Sequence, residues 1–157
     1  MRDAMLAASG QLELAMGGPT IASGTAADYG YLDAGRRRSI YVPALRNALP
    51  QLFELFDFAD TSVVTGQRRA SVVAPQALFF LNHPFVLEHA RLTAERVLAN
   101  NSEARLEKMY RLILGRDPAL REREFAEAHL NLGLAEADAW TELCQALFAS
   151  ADFRFLD

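Results

Sequence analysis

The sequence contains one cysteine, one lysine and three histidines, and it has no long run of apolar residues. A single cysteine excludes an internal disulfide, a zinc site made of several thiolates and a C-x-x-C-H haem attachment site. A membrane-spanning helix needs about 18 consecutive apolar residues, and no stretch of the chain reaches that length. The N-terminus, Met1 to Ala4, lacks the apolar core and cleavage site of a signal peptide. We therefore expect a soluble protein with no cofactor, no metal and no membrane partner.

The composition is that of a folded domain. Of 157 residues, 51% are hydrophobic and 23% are charged, close to the globular averages of roughly 45–50% and about 25%. A chain of this length can bury one core, so we predict a single domain over residues 1–157. Sixteen basic and 20 acidic residues give a net charge of −4, which argues against a nucleic-acid partner.

The N-terminal part, residues 1–74, is predicted to be rich in loops. A helix ends near Ser9, before Gly10, and residues 19–35 are small, polar and without periodicity. The segments 39–42 and 71–74 are short and β-branched, so each is predicted to be extended. Together they would form at most a short two-stranded β ribbon.

Helical periodicity dominates residues 75–157, where we predict a helical bundle, and the fold class is therefore mainly α. In the last helices we expect Phe125, Ala128 and Leu132 to face the core and Phe153 and Phe155 to fold back onto it. One regular apolar stripe comprises Leu106, Met109, Tyr110, Ile113 and Leu114. The predicted helices span about 50–56, 75–81, 84–99, 103–114, 118–132 and 136–150.

The chain contains no catalytic motif of the G-x-S-x-G, P-loop or G-x-G-x-x-G type. Cys144 lies beside an apolar stripe, so it is predicted to be a buried core thiol rather than a nucleophile. His83 and His89 are six residues apart, which does not place two metal ligands on one helix face, and His129 stands alone. Enzymatic activity is therefore left open.

The tetrapeptide Gln-Ala-Leu-Phe occurs at residues 76–79 and again at 145–148. A duplicated helical hairpin could leave such a trace. The residues are common in helices, however, and nothing beside them repeats, so coincidence is the favoured interpretation.

Basic residues are concentrated in one region. Residues 36–69 contain six arginines and three acids, a net charge of +3 in a chain whose net charge is −4. Guanidinium groups are suited to bidentate binding of carboxylate or phosphate groups, so a shallow site for an anionic ligand is one hypothesis. The alternative is that each arginine pairs with a nearby acid such as Asp57 or Asp60, or packs over an aromatic ring. The candidate anion-binding residues are Arg37, Arg38, Arg46, Arg68 and Arg69.

Several stretches resemble a known family: the C-terminal part of the large planctomycete-type proteins of unknown function (domain of unknown function 1553), whose architecture often includes a cytochrome-c-like module. The most specific stretch runs from Pro75-Gln76-Ala77-Leu78 to Asn82-His83-Pro84-Phe85-Val86. The other similar stretches are 37–41 with Arg46-Asn47, 52–57, 110–116 with Pro118, and 153–157.

The resemblance implies no catalytic residues, and it implies that members are longer and typically exported. This chain lacks the haem motif and the N-terminal bulk, so it is either a fragment or a short stand-alone product. We predict a non-catalytic structural or protein-interaction module whose partners are other domains of a larger parent protein or an anionic ligand. The alternatives are a fragment of an enzyme whose active site is completed by missing N-terminal sequence, and an anion-binding module that uses the arginine cluster.

Overall fold

A computed structural model describes residues 1–21, 23, 35–45, 49–58, 66, 74–99 and 104–155. Within these ranges the chain forms eight α-helices and one 3-10 helix, the latter at Ser39–Tyr41. The α-helices are α1 (Arg2–Ala8), α2 (Gln51–Leu55), α3 (Ala74–Asn82), α4 (Pro84–Leu98), α5 (Arg105–Leu114), α6 (Leu120–Leu130), α7 (Glu136–Ala149) and α8 (Ala151–Arg154). The predicted mainly helical fold is confirmed.

Helix α4 lies at the centre of the bundle, and its largest interface is with α7; α1, α3 and α5 also pack against it. The middle of the core consists of residues that are 0% exposed. The apolar faces of the helices meet there, because removal of apolar surface from water is favourable. These fully buried residues include Met5, Val86, Ala90, Val97, Met109, Cys144 and Phe148.

The boundaries of the central helices follow from local chemistry. Helix α4 begins after His83, whose Nδ1 accepts a hydrogen bond from the Phe85 N–H at 3.2 Å, and Pro84 occupies the first helical position. Helix α5 ends at Gly115, whose φ of 72° is a conformation that glycine adopts readily. Four members of the predicted α5 stripe are buried, and Leu114 packs at the edge of the core.

The segment 39–42 is predicted to be extended, and this prediction is wrong. The segment contains the 3-10 helix instead. Its N-terminal amide is held by a residue 36 positions away, because both carboxylate oxygens of Asp3 accept from the Ser39 N–H, at 2.9 and 3.0 Å. The β pairing within the described residues is one isolated bridge, between Glu13 and Arg37. Of the predicted partner segment, residues 71–74, Ala74 is helical because it begins α3, and residues 71–73 lie outside the described residues.

Helix α6 differs most from the prediction. It begins at Leu120 rather than near Pro118, because the Glu122 carboxylate reaches back to accept from the Ala119 N–H at 2.6 Å. Its predicted core face is wrong: Phe125 is 77% and Leu132 69% exposed, and Ala128 is also exposed. Ala126 is buried instead.

In the C-terminal tail, Phe153 is buried against the core, where its ring centroid lies 5.1 Å from that of Phe148. Phe155 does not fold back as predicted, since half of its surface is exposed. No helix in the described part of the chain has the length and apolar character needed to cross a bilayer.

The two copies of Gln-Ala-Leu-Phe begin with glutamines that make equivalent hydrogen bonds. Gln76 on α3 donates to the carbonyl of Leu55, which is the last residue of α2, at 2.8 Å. Gln145 on α7 donates to the Leu81 carbonyl near the end of α3, also at 2.8 Å. Each side chain therefore satisfies a carbonyl at the end of a neighbouring helix that lacks a partner within its own helix.

His89 joins α1 to α4 inside the bundle. Its side chain is almost fully buried, and its Nδ1 lies 2.9 Å from the Ser9 hydroxyl at the end of α1. Burial lowers the pKa of His89; Glu88 opposes this effect, while Arg36 and Arg2 add to it. The buried ring is therefore held in its neutral form at pH 7.

This burial predicts a loss of stability in mild acid. The unfolded chain binds a proton on His89 near pH 6.5, whereas the folded chain binds it only at lower pH. The contribution of His89 to the free energy of unfolding should therefore be constant above about pH 7.5 and fall below about pH 6.5, by no more than about 1.4 kcal/mol per pH unit for one proton. Urea unfolding between pH 8 and pH 5 measures this.

The matched variant is His89→Gln, which retains a polar side chain but does not titrate. Its stability at pH 8 should be lower than that of the natural protein, while its decline toward pH 5 should be shallower. His83 and the N-terminal amino group contribute to the remaining decline, because burial lowers the pKa of each of them too. Parallel declines in the two proteins would contradict the assignment to His89.

Candidate binding groove

Arg37 is fixed by the N-terminal segment. Its guanidinium group donates to the carbonyls of Gly17 and Pro19, and it lies 4.1 Å from the centre of the Tyr41 ring. A guanidinium group bound to main-chain carbonyls and stacked on a ring has fewer N–H groups left for an anion. The described contacts of Arg37 are therefore those of a residue that joins loops.

Arg38 follows in sequence but is exposed. Arg46, Arg68 and Arg69 lie outside the described residues. The convergence of all five arginines on an anion therefore stays a prediction.

The other candidate groups take structural positions. Cys144 is fully buried, as predicted, and burial raises the pKa of its thiol to about 12. His83 caps α4, His89 contacts Ser9, and His129 lies 3.2 Å from a Glu142 carboxylate oxygen. Among the residues described, no three side chains of metal-binding type lie close enough together to hold an ion.

One concave region lies between α1, α2 and the 3-10 helix. It has a volume of about 450 Å³ and an aromatic wall that includes Phe53 and Phe58, whose rings stack at 5.0 Å. Its charged groups are used in the fold. Arg2 donates to the carbonyls of Gly35 and Arg37, and Asp3 accepts from Ser39.

Another concave region, which we call the α2–α3 groove, has a volume of about 390 Å³. Pockets of roughly 300–1,000 Å³ with apolar walls and a few polar groups are typical of binding sites. The hydrogen bond from Gln76 to the Leu55 carbonyl holds the end of α2 against α3 and so forms the groove. It is lined by Gln51, Leu55, Pro75, Leu78, Phe79, Asn82, His83 and Pro84.

The groove combines an apolar wall with polar groups at one end. Leu78 is 57% exposed, although it is a large apolar residue on a well-packed helix. The ring of His83 stacks on that of Phe79, with centroids 4.3 Å apart. Asn82 donates to the Leu78 carbonyl, which leaves its side-chain oxygen as an acceptor.

His83 supplies a hydrogen-bond donor of defined orientation. Burial lowers the pKa of His83, so the ring is neutral at pH 7. Because Nδ1 accepts from the Phe85 N–H, the proton of the neutral ring is assigned to Nε2. The groove is therefore suited to a neutral occupant with apolar side chains and a carbonyl acceptor.

Residues 1–130 match the family model PSD1, described as a protein of unknown function (DUF1553). The chain belongs to the DUF1553 family. The matched range includes every residue that lines the groove, and it ends at the last residue of α6.

Membership confirms the family part of the resemblance. The DUF1553 match stops before residues 153–157, so the resemblance of the C-terminus stays a prediction, as do the C-terminal position in a larger protein and the cytochrome-c association. No curated protein and no solved structure matches the chain. The DUF1553 description assigns no activity.

Sequence analysis did not find the groove as a site. The family resemblance could have pointed to the groove, because the stretch from Pro75 to Val86 is the most specific part of that resemblance and contains several groove residues. What the sequence could not supply is the position of α2, which contributes Gln51 and Leu55 from some 20 to 30 residues away along the chain.

Proposed function

We propose that the chain is a non-catalytic interaction module whose α2–α3 groove binds an apolar peptide segment of a partner chain. The observation that carries this proposal is the exposure of Leu78 in a concave surface that Phe79 and His83 also line. Large apolar side chains exposed beside a polar rim are typical of interaction sites.

The recognition chemistry follows from the groove's walls. An apolar side chain of the partner would pack between Leu55 and Leu78, where burial contributes about 1.5–3 kcal/mol for a large side chain. A main-chain carbonyl of the same segment would accept from the His83 Nε2–H. The charge-neutral walls favour a peptide segment without acidic residues at its centre.

The experiment is selection of displayed 12-residue peptides on the natural protein, followed by fluorescence anisotropy with each selected peptide. Leu78→Glu should weaken binding by about tenfold to a hundredfold, because it places a charge on the apolar wall. The matched control is Leu87→Glu on α4, which is 40% exposed and does not line the groove.

Peptides whose affinity is unaffected by Leu78→Glu, or weakened equally by Leu87→Glu, would contradict the proposal. A selection that yields no peptide above background would also contradict it. Circular dichroism of both variants verifies that they remain helical, as expected for substitutions at exposed positions.

We also propose a wider role for the chain. The family resemblance supports a module that works beside other domains of a larger, exported parent protein. The anion-binding alternative has the regional charge in its favour, but Arg37, one of its five residues, is bound to main-chain carbonyls.

A further inference from the structure

His83 belongs both to the start of α4 and to the α2–α3 groove. Its Nδ1 accepts from the Phe85 N–H at 3.2 Å, and its ring stacks on that of Phe79, with centroids 4.3 Å apart. The Phe85 N–H is one of the first amides of the helix, which have no acceptor within the helix itself. The side chain that caps α4 is therefore the same side chain that supplies a donor to the groove.

Among the described residues that line the groove, His83 alone can titrate, since the others carry amide, aliphatic or aromatic side chains. Helix α3 has no ionisable side chain, the single one of α2 is Glu54, and the first one of α4 is Glu88. Glu54 and Glu88 are exposed, and neither they nor Asp57 beyond α2 line the groove. Helix α7 packs against α3 and α4 but contributes no lining residue. A change of charge among the lining residues near neutral pH is therefore a change at His83.

Protonation removes the acceptor on which this cap depends. A protonated imidazole carries an N–H on both nitrogens, so Nδ1 would oppose the Phe85 N–H donor to donor. The dipole of α4 also disfavours a positive charge at the N-terminus of the helix. The face of the Phe79 ring attracts a cation, but it does not supply the missing acceptor. The protonated ring therefore turns away from Phe85, and its Nε2–H loses the orientation that it has in the groove.

We propose that the α2–α3 groove is an acid-sensitive binding site, which holds its peptide while His83 is neutral and releases it when His83 binds a proton. This inference rests on the peptide binding proposed for the groove. The neutral ring keeps the helix cap, the stack on Phe79 and the donor in one arrangement, whereas the cationic ring loses the cap and displaces the donor. Because the peptide binds the neutral form better, the bound peptide must in turn make His83 harder to protonate.

The direction of the pH dependence follows from the burial of His83, which lowers its pKa below the ordinary value of 6.5. Above about pH 7.5 the ring is neutral, so the affinity for the peptide should be constant. Below the pKa of His83 the affinity should fall by at most about tenfold per pH unit, because one proton is bound. Between pH 7.5 and pH 5 we expect the dissociation constant to rise by about threefold or more.

The test measures fluorescence anisotropy of a displayed peptide selected on the whole protein, at several pH values from 7.5 to 5. The peptide chosen has blocked termini and contains no aspartate, glutamate or histidine, so it does not titrate in this range. His83→Asn removes the titrating ring but retains an acceptor suited to the N-cap, and its affinity should be independent of pH. His129→Asn is the matched control on α6, outside the groove, and should lose affinity in acid as the natural protein does.

Nuclear magnetic resonance identifies the event at the cap. In the free protein the Phe85 amide signal should shift with the same midpoint as the carbon signals of the His83 ring. A saturating amount of peptide should move both midpoints to lower pH. The loss of stability expected from His89 in acid affects the whole bundle, so it would weaken binding equally in His83→Asn. Circular dichroism at each pH verifies that the helices persist.

Two results would overturn the acid sensitivity and leave the function of the groove intact. One is an affinity of the natural protein that stays constant from pH 7.5 to pH 5. The other is an acid loss that His83→Asn retains in full, which would place the titrating group elsewhere. A selection that yields no peptide above background is a different failure, because it contradicts peptide binding itself, while the Phe85 signal still reports whether protonation opens the cap.

Discussion

Replacing Phe80 with alanine should lower the free energy of unfolding by about 3–5 kcal/mol. Phe80 on α3 is 1% exposed, and its ring makes edge contacts with Phe56, Phe79 and Phe153 at centroid distances of 5.5, 5.9 and 6.5 Å. Truncation removes these contacts and leaves a cavity between Phe79 on the same helix and rings from two other segments, Phe56 at the end of α2 and Phe153 on α8. Because these rings are fixed by separate segments of the chain, they cannot all move to fill it.

Phe125→Ala is the matched control, since it makes the same chemical change on a helix where the ring is 77% exposed. It should alter stability by no more than about 0.5 kcal/mol. Urea or thermal unfolding followed by circular dichroism measures both variants. Similar losses for the two would show that the aromatic cluster around Phe80 does not form as described.

The second large effect is expected for Arg2→Met, which should release the segment that contains the 3-10 helix. Arg2 is 8% exposed, and its side chain donates to the Gly35 carbonyl at 2.6 Å and to the Arg37 carbonyl at 2.8 Å. Hydrogen bonds from a charged donor contribute roughly 1.5–3 kcal/mol each, so we expect a loss of about 3 kcal/mol or more. Methionine retains much of the aliphatic volume but none of the donors.

Hydrogen exchange gives the sharper measurement, because the effect is expected to be local. The Ser39 amide, bonded to Asp3, and the Glu13 amide, bonded to the Arg36 carbonyl, should lose protection before the amides of α4 do. Arg91→Met is the control, since Arg91 pairs with Glu95 on an exposed face of α4 where such pairs contribute little. Equal protection in both variants would contradict the role of Arg2.

The central helices could be predicted from the sequence because their signals are local. The stripe from Leu106 to Ile113 is regular, and Pro84 and Gly115 mark a beginning and an end. Each of these depends on residues within one or two turns, and no distant contact opposes it. The buried state of Cys144 followed from the same periodicity.

The errors occurred where distant contacts decide the outcome. The segment at Ser39 has the composition of a strand, but its amide and hydroxyl bind Asp3, far away in sequence. Over the predicted helix 118–132, the spacing of Phe125 and Leu132 indicated a buried face, whereas α6 ends at Leu130 and contacts the core through Ala126 and Leu130. Sequence periodicity shows which residues share a side of a helix, and the pairing of helices decides where that side points.

The site was harder to predict than the fold. Of the arginine cluster, Arg37 binds carbonyls that no pattern in the sequence connects to it. The α2–α3 groove requires two helices to lie side by side, and concavity leaves no periodic signal. The resemblance drew attention to the stretch from Pro75 to Val86 without indicating that it forms one wall of a groove.

The pairing of α4 with α7 has a consequence for how the chain folds. The two helices are separated by 37 residues, from Ala99 to Ala135, so a long loop must close before the largest interface can form. The closure of long loops slows folding. Loop length affects the free energy of unfolding only weakly, because each doubling of the length costs about 0.6 kcal/mol. Extra residues inserted at the exposed Gly133 should thus be tolerated at equilibrium, while the rate at which the bundle closes would fall.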